Sequence, residues 1–351
     1  MSIDRRRFLQ ASAATAAAVG LSPASFARTA PTGEHARPAG GPIAIASGNG
    51  LEAVRRAVQR MNEGVDPMDA IVEGVGIVEA DPEDTSVGYG GLPNADGVVQ
   101  LDSCVMHGPT HRAGSVGALE DTIHAAQVAL AVLKQTDHVM LVGEGATRFA
   151  RELGFPKVDM LTPRARAAWL RWRANLNPDD DYLDADQQIH SDGEKDVPYT
   201  TGTIHCSGLA ANGDNAGVTT TSGLSYKIPG RVGDSPIIGA GNYCDGVVGS
   251  AGATGRGEAV IQVCGAFMAV REMEDGRSPT EACLAVLKRI ADRTKRPHLL
   301  DAKGRPNFDV VMYALRKDGA FGSASMFGDR TFAVCDEKGA RLEKCAGLFE
   351  R

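Results

Sequence analysis

A strand–turn–strand pattern that begins at residue 203 constrains the fold of this chain more than any other feature. Residues 203–210 and 216–222 have the composition of β-strands, and Asn212-Gly213 between them is a typical hairpin turn. A glycine-dense stretch follows from 229 to 257, which implies tight turns and close backbone approaches. Because a sheet must bury a face against another layer, this region predicts a layered fold.

Strand-like and helical patterns continue on both sides of that hairpin. Asn49 is predicted to cap the first helix, with Glu52 three residues later, and Asp66-Pro67 to begin the second. Residues 160–200 show little periodicity and are predicted to form a surface segment or linker. Further strands are predicted at 43–46, 98–106, 309–315 and 331–335, and further helices at 115–135, 144–153, 258–273 and 279–293. This order fits stacked layers of helices and sheets.

Charge and composition exclude several classes of function. The net charge is -7, and no Lys/Arg cluster lies outside the first residues, so a nucleic-acid partner is not expected. Aromatic residues make up 5% of the chain, too few to suggest a base-stacking platform. The seven cysteines are scattered without a CxxC pair, and the Asp-rich run at 179–181 is interpreted as a solvated face. We therefore expect no metal site, and we expect most cysteines to be buried as small apolar residues.

The first 27 residues have the pattern of a targeting segment. Arg5-Arg6-Arg7 belongs to a stretch that resembles the twin-arginine export motif, and a weakly apolar, Ala-rich stretch follows at 11–21. This stretch is too short and too weakly apolar for a stable membrane span. The sequence therefore predicts a signal peptide over 1–27, twin-arginine export, and a periplasmic or secreted bacterial protein that does not stay in the membrane.

Several short motifs carry a resemblance to a known family. Familiar signatures such as GxSxG, HExxH and the P-loop are missing. The chain is instead similar to the glycosylasparaginase and plant-type asparaginase family of N-terminal nucleophile hydrolases. The similar segments are SVGYGG at 86–91, LDSCVMHG at 101–108, LVGEGA at 141–146, GRVGDSPIIGAG at 230–241 and ATGRG at 253–257.

The resemblance implies an α/β fold, the four-layer αββα sandwich of the N-terminal nucleophile hydrolases. Members of this family are made as precursors that cut themselves before a Thr, and that Thr lies 28 residues before the Arg of the GRVGDSP-like motif. In this chain the matching residue is Thr203, which follows Gly202. The implied products are an alpha subunit, 28–202, and a beta subunit, 203–351, of one hydrolase domain. Family members usually assemble as dimers of cut protomers, and no metal or organic cofactor is implied.

Family roles carry over to five further positions. Thr221 matches a Thr that supports the nucleophile. Arg231 matches the residue that holds the substrate α-carboxylate, a task that suits the two-pronged guanidinium group. Asp234 matches the partner of the substrate α-amino group. Thr254 and Gly255 match the oxyanion hole, in which a hydroxyl and a backbone N–H face the developing negative charge.

The chemistry explains why a Thr at a chain start is needed. A Thr hydroxyl is a poor nucleophile without a base beside it, and a free α-amine is such a base, with a pKa near neutrality. The amine exists only once the bond between Gly202 and Thr203 has broken. The resemblance therefore implies a small asparagine-linked substrate, hydrolysed through a β-aspartyl ester on Thr203.

Three departures from the family pattern bear on the leaving group. No Trp lies near Gly48, where glycosylasparaginases usually have one that helps form the substrate pocket. Gly202 is preceded by Thr201, whereas that branch usually has His-Asp before the nucleophile. His205 replaces the usual small residue two positions after the nucleophile, and we interpret it as an outward strand residue rather than a pocket residue.

We prefer a glycosylasparagine substrate over three alternatives. One is an isoaspartyl dipeptidase or L-asparaginase of the same family. Another is a non-catalytic relative that binds amino acids. A hydrolase that uses Cys206 and His205 is not favoured, because adjacent strand residues point to opposite faces.

Overall fold

The structure, a computed structural model, describes residues 40–174 and 202–350, in which two β-sheets stack face to face. Strands are numbered in chain order as β1 Ile43–Ser47, β2 Leu101–His107, β3 Arg112–Leu119, β4 Met140–Val142, β5 Ile204–Leu209, β6 Asn215–Thr221, β7 Asn242–Asp245, β8 Gly249–Gly255, β9 Val310–Arg316, β10 Phe321–Ser325, β11 Thr331–Asp336, β12 Gly339–Lys344 and β13 Ala346–Gly347. The first sheet has the order β12-β11-β1-β5-β6-β2-β3-β4, and the second has the order β13-β10-β9-β8-β7. Neighbouring strands are antiparallel except for β3 with β4 and β10 with β13.

Helices cover the outer face of each sheet. They are α1 Leu51–Asn62, α2 Pro67–Glu79, α3 Ala125–Gln135, α4 Gly143–Glu152, α5 Pro163–Ala174, α6 Gly257–Ile261, α7 Gly265–Glu274 and α8 Pro279–Arg293. Helices α1 to α4 pack on the first sheet, α7 and α8 pack on the second, and strands β5 and β6 contact β8 across the sheet interface. This arrangement confirms the predicted four-layer αββα sandwich.

The apolar core is divided in the way that four layers require. One buried cluster, which includes Ile71 and Val218, lies between the first sheet and its helices. A second, which includes Leu287 and Met312, lies between the second sheet and its helices. A third, with Ile45 among its members, fills the space between the two sheets. Central strands such as β5 are therefore buried on both faces.

Helix starts follow the predicted capping pattern in one of two cases. Asp66 accepts a hydrogen bond from the Met68 N–H at 2.8 Å, and Pro67 occupies the first turn of α2, as predicted. The prediction that Asn49 caps α1 is wrong. Its amide donates to Asp84 instead, at 3.0 Å, and a short 3-10 turn at Gly48–Gly50 leads into the helix.

Three other sequence predictions need correction. The helix predicted at 115–135 begins only at Ala125, because residues 112–119 pair with β2 as strand β3. Strand β3 packs closely against α3 at Gly114, where a Cβ would lie 2.2 Å from the Ala129 carbonyl oxygen. The helix predicted at 258–273 is two helices, separated at Cys264, which has a positive φ of 51°. The predicted linker at 160–200 begins with helix α5, and residues 175–200 lie outside the described residues.

Candidate active site

Thr203 lies at the open end of the hairpin formed by β5 and β6. The register pairs Ile204 with Thr220, so one residue further on Thr203 lies opposite Thr221. The hydroxyl oxygens of Thr203 and Thr221 are 3.2 Å apart, and each lies 2.8 Å from the carbonyl oxygen of Gly202. Both residues are buried. The sequence-predicted nucleophile and its supporting hydroxyl therefore both contact the bond that is predicted to be cut.

Gly202 fits its position because there is no room for a side chain. A Cβ built on it would lie 1.9 Å from the Ser86 Cβ and 2.0 Å from the Ser86 hydroxyl oxygen. Ser86 belongs to the loop between α2 and β2, and its carbonyl oxygen accepts a hydrogen bond from the Ser222 N–H at 3.0 Å. The peptide bond between Gly202 and Thr203 is therefore held in a tight cleft between this loop and the end of β6.

Arg231 and Asp234 lie on one side of Thr203, in a pocket of about 390 Å³. We call it the inner pocket; its lining also includes Thr221, Gly255 and Glu258. The Nε and Nη2 atoms of Arg231 donate to one Glu258 carboxylate oxygen at 2.9 and 2.7 Å. Nη1 takes no part in this ion pair, so one edge of the guanidinium group is available for a second carboxylate. The ion pair that Arg231 forms is thus with Glu258 rather than with its motif neighbour Asp234.

Asp234 brings an unsatisfied carboxylate into the inner pocket. It is 5% exposed, and its Oδ2 atom has no hydrogen-bond partner among the described residues. Burial raises the pKa of Asp234 to about 7, against the opposing effect of the Arg231 charge. A buried acceptor of this kind is costly to leave unpaired, which favours a cationic donor as its partner.

Thr254 and Gly255 lie at the end of β8, where the two sheets open beside Thr203. Thr254 Oγ1 is 2.9 Å from the Tyr313 hydroxyl oxygen. The Ala253 N–H donates to the Gly241 carbonyl at the β7 edge, so the Gly255 N–H points to the same edge, beyond the end of β7. Gly255 has a φ of +106°, and a Cβ there would lie 2.4 Å from the Asp309 carbonyl oxygen. Only glycine fits this conformation and this spacing without strain.

A second pocket, of about 610 Å³, adjoins the first at Thr203 and shares Asp309 and Arg330 with it. We call it the outer pocket. Its lining is mostly polar, and it includes Asn49, Asp84, Asp309, Arg330 and Thr331. Arg330 is 53% exposed and donates to Asp309 at 2.7 Å. Gly48 lines this pocket too, at the place where the sequence lacks the Trp of the related enzymes.

His205 does not point outward, so that prediction is wrong. It is fully buried between the two sheets, with its ring nitrogens 2.8 Å from the hydroxyl oxygens of Thr219 and Ser207. Burial lowers its pKa to about 3, so the ring is neutral. Its neighbour Cys206 belongs to the core cluster on the opposite face of β5, as strand geometry predicts. The two side chains therefore cannot act as a nucleophile and base pair.

Two residues around this site were not predicted from the sequence. Glu258 lies three residues after Gly255, and its only sequence signal is its place directly after the ATGRG motif. Tyr313 comes from β9, and nothing in the sequence near the motifs indicates its contact with Thr254.

The described residues contain neither a metal-binding cluster nor a disulfide bond. Within 40–174 and 202–350, no group of three or more His, Cys, Asp or Glu side chains could hold a metal ion. All seven cysteines are free thiols, and six of them are buried, as expected; Cys264 is exposed. In these same ranges no helix has the length and apolar character needed to cross a membrane.

These features define a class of protein: a four-layer αββα sandwich with a threonine at the open end of its central hairpin. Comparison with known proteins supports the same class. The family model described as asparaginase matches residues 45–301. The chain therefore belongs to this asparaginase family, and it is a hydrolase of the N-terminal nucleophile type.

Individual relatives cover most of the chain. It is 37% identical to an N(4)-(beta-N-acetylglucosaminyl)-L-asparaginase of Elizabethkingia miricola, over 98% of this chain and 95% of the relative. It is 34% identical to a protein of the same name from Rattus norvegicus, over 74% of this chain and 77% of the relative. It is 33% identical to an isoaspartyl peptidase/L-asparaginase of Danio rerio, over 69% of this chain and 75% of the relative.

Proposed function

We propose that this chain cuts itself between Gly202 and Thr203 and then hydrolyses the side-chain amide of N4-(beta-N-acetylglucosaminyl)-L-asparagine to aspartate. One observation carries the proposal: the Thr203 hydroxyl lies against the Gly202 carbonyl, between a pocket with Arg231 and Asp234 and a second, polar pocket. The relatives from Elizabethkingia miricola and Rattus norvegicus support the choice of substrate by their names.

Self-cleavage follows from the hydroxyls around the Gly202 carbonyl. Thr203 Oγ1 attacks the carbonyl carbon, and Thr221 donates a hydrogen bond to the carbonyl oxygen as negative charge develops there. The C–N bond breaks, and the nitrogen of Thr203 takes up a proton, so the chain is joined by an ester. Water then hydrolyses this ester and leaves a carboxylate on Gly202 and a free amine on Thr203. The proposed products are the alpha subunit, 28–202, and the beta subunit, 203–351.

Turnover uses the same hydroxyl with a new base. Arg231 binds the substrate α-carboxylate and Asp234 binds the α-ammonium group, which orients the side-chain amide toward Thr203. The Thr203 amine accepts the hydroxyl proton as Oγ1 attacks, and Thr254 and Gly255 stabilise the oxyanion. The leaving nitrogen takes up that proton and departs, which leaves a β-aspartyl ester. Water hydrolyses the ester and releases aspartate.

A second candidate substrate class is favoured by specific residues. Gly202 before the nucleophile and the missing Trp near Gly48 resemble the isoaspartyl peptidase branch, and the relative from Danio rerio carries that name. The polar lining of the outer pocket, with Asp84 and Arg330, would also suit an amino-acid leaving group. Isoaspartyl dipeptides and free asparagine are therefore the alternative substrates.

The self-cleavage step is tested on a denaturing gel with N-terminal sequencing of each band. We expect two fragments, the second beginning Thr-Ile-His-Cys. Thr203→Ala should give a single band and no hydrolysis, whereas Thr203→Ser, which keeps a hydroxyl, should still be cut. A wild-type protein that stays in one piece would rule out the mechanism and favour a non-catalytic amino-acid-binding protein.

The substrate is then decided by measuring kcat/KM for three compounds: N4-(beta-N-acetylglucosaminyl)-L-asparagine, an isoaspartyl dipeptide and asparagine. The proposal requires the highest value for the glycosylated compound. A preference of about tenfold or more for the isoaspartyl dipeptide would replace it with the second candidate.

Export and assembly complete the proposal. The basic motif at Arg5-Arg6-Arg7 supports a signal peptide over 1–27 and transport by the twin-arginine route, which would place the enzyme in the periplasm or outside the cell. Membership of the family supports a dimer of cut protomers. Replacing Arg5 and Arg6 by Lys should keep the protein in the cytoplasm, and light scattering of the cut protein should give the mass of a dimer.

A further inference from the structure

Two stacked aromatic rings lie between the two sheets, close to Thr203. His205, two residues after Thr203 on the same face of β5, stacks on Tyr313 of β9, with ring centroids 5.8 Å apart and planes at 17°. The ring fits because Gly252 of β8 has no side chain: a Cβ there would lie 2.0 Å from His205 Nδ1. His205 and Gly252 therefore form a matched pair across the two sheets.

Hydrogen bonds fix the His205 ring in one orientation. The Thr219 hydroxyl donates to the Gly241 carbonyl oxygen at 2.9 Å, and it has no second proton to give. His205 Nδ1, 2.8 Å from the Thr219 oxygen, must therefore be the donor, and Nε2 accepts from the Ser207 hydroxyl. The ring is neutral, fully buried and held at both nitrogens, so it is a rigid surface for the Tyr313 ring to stack on.

The Tyr313 hydroxyl in turn contacts the Thr254 hydroxyl. The two hydroxyl oxygens are 2.9 Å apart, and both side chains are buried. Thr254 faces the end of the strand pair where Thr203 lies, and both residues line the outer pocket together with Tyr313. A Thr hydroxyl has one proton and can rotate, so its usefulness as an oxyanion donor depends on where that proton points.

We propose that Tyr313 is a positioning residue for catalysis: its hydroxyl donates to Thr254 Oγ1, which leaves the Thr254 proton directed at the oxyanion. The phenol is the better proton donor of the two hydroxyls, and burial raises its pKa, so it stays protonated during turnover. The role rests on the proposed hydrolase function. His205 and Gly252 hold the Tyr313 ring in place and do not touch the substrate.

The test is Tyr313→Phe, which keeps the stacked ring and removes the hydroxyl. Loss of one oxyanion-hole donor typically lowers kcat about a hundredfold or more, and loss of a group that only orients that donor should cost less, about tenfold. We expect kcat to fall by this factor with KM changed less than about twofold, and self-cleavage and the melting temperature to stay close to those of the wild-type protein. Tyr243→Phe, at a partly buried tyrosine on β7 that lines neither pocket, is the matched control and should change neither constant.

A double-mutant comparison separates positioning from a general structural effect. In a Thr254→Val background the hydroxyl to be oriented is absent, so adding Tyr313→Phe should lower kcat no further. Additive losses, or an unchanged kcat in Tyr313→Phe, would overturn this proposal alone. Failure of the wild-type protein to hydrolyse any of the three substrates would overturn the proposed function and this proposal together.

Discussion

The two pockets beside Thr203 differ in how firmly their charges are held. In the inner pocket, Arg231 is 18% exposed on its side chain and bonded twice to Glu258, and Asp234 is buried with an unpaired oxygen. In the outer pocket, Asn49 and Thr331 are exposed, and Arg330, which lines both pockets, is half exposed and pairs with Asp309 through a single nitrogen. Buried charges have few alternative partners, whereas exposed ones are hydrated and screened. The inner pocket is therefore built for one fixed group, and the outer pocket tolerates variety.

This difference separates two kinds of specificity within one active site. Every proposed substrate has the same α-carboxylate and α-ammonium groups, and these would bind on the inner side. Leaving groups differ between a sugar amine, an amino acid and ammonia, and these would lie on the outer side. Substitutions in the inner pocket should therefore weaken hydrolysis of all substrates alike, whereas substitutions in the outer pocket should change their ratios.

Arg231→Ala should have the largest effect. Removing one partner of a desolvated charge pair typically costs about 2 to 5 kcal/mol, so kcat/KM should fall by about thirtyfold to several thousandfold for all three substrates. Arg256→Ala is the control, since that side chain lines the same pocket but packs over the Phe308 ring. A loss below about tenfold for Arg231→Ala, or an equal loss for Arg256→Ala, would contradict the role of Arg231.

The pH dependence of product binding should show the next largest effect. Because burial raises the pKa of Asp234 to about 7, the carboxyl is mostly protonated and neutral below that pH. Only the ionised form attracts an α-ammonium group, so the inhibition constant of aspartate should rise as pH falls, by about fivefold between pH 7 and pH 6 and by about ninefold more between pH 6 and pH 5. The measurement is competitive inhibition by aspartate from pH 5 to 8. Asp234→Asn should bind aspartate weakly at every pH, and a flat profile in the wild-type protein would refute this assignment.

Arg330→Ala should have the smallest effect. Exposed ion pairs contribute about 0 to 1 kcal/mol, so kcat/KM for asparagine, whose leaving group is small, should change less than about fivefold. The informative number is the ratio of kcat/KM for the glycosylated substrate to that for asparagine. We expect this ratio to shift about twofold to fivefold in Arg330→Ala and to stay constant in Arg231→Ala. A ratio that shifts in Arg231→Ala and stays constant in Arg330→Ala would contradict the proposed difference between the two pockets.

The resemblance to the asparaginase family predicted which residues meet at the site, because its motifs carry over residue by residue to this chain. The GRVGDSP motif placed Arg231 and Asp234, and the 28-residue spacing placed Thr203 at the end of β5. All of the predicted site residues line the inner pocket, the outer pocket or both. Their catalytic roles stay predictions.

The orientation of His205 could not be predicted, for a physical reason. Alternation of polar and apolar residues shows which face of a strand is buried only when the other face meets water. Strand β5 is buried on both faces, so its pattern carries no such signal. The contacts of Tyr313 with Thr254 and of Glu258 with Arg231 join residues far apart in sequence and depend on how the sheets stack.

Strands β7 and β8 and the helix predicted at 115–135 show a related limit. Residues 242–255 contain many glycines and alanines, which have low intrinsic preference for strands, yet β7 pairs with β8, β8 pairs with β9, and both pack under α7. Gly252 is favoured there because the two sheets approach closely: a Cβ at this position would lie 2.0 Å from His205 Nδ1. Residues 115–119 likewise follow their strand partners rather than a local helical pattern.

The order of strands in the first sheet has a consequence for the cut protein. Strand β1, from the proposed alpha subunit, lies between β11 and β5 of the beta subunit, and β2 pairs with β6. The two polypeptides are thus interdigitated, and they can part only if three strand ladders open together. After the cut, unfolding becomes a reaction that yields two molecules from one, so its midpoint should depend on protein concentration. Refolding would have to find a partner in solution, which makes the one-chain precursor the form that assembles the sheet.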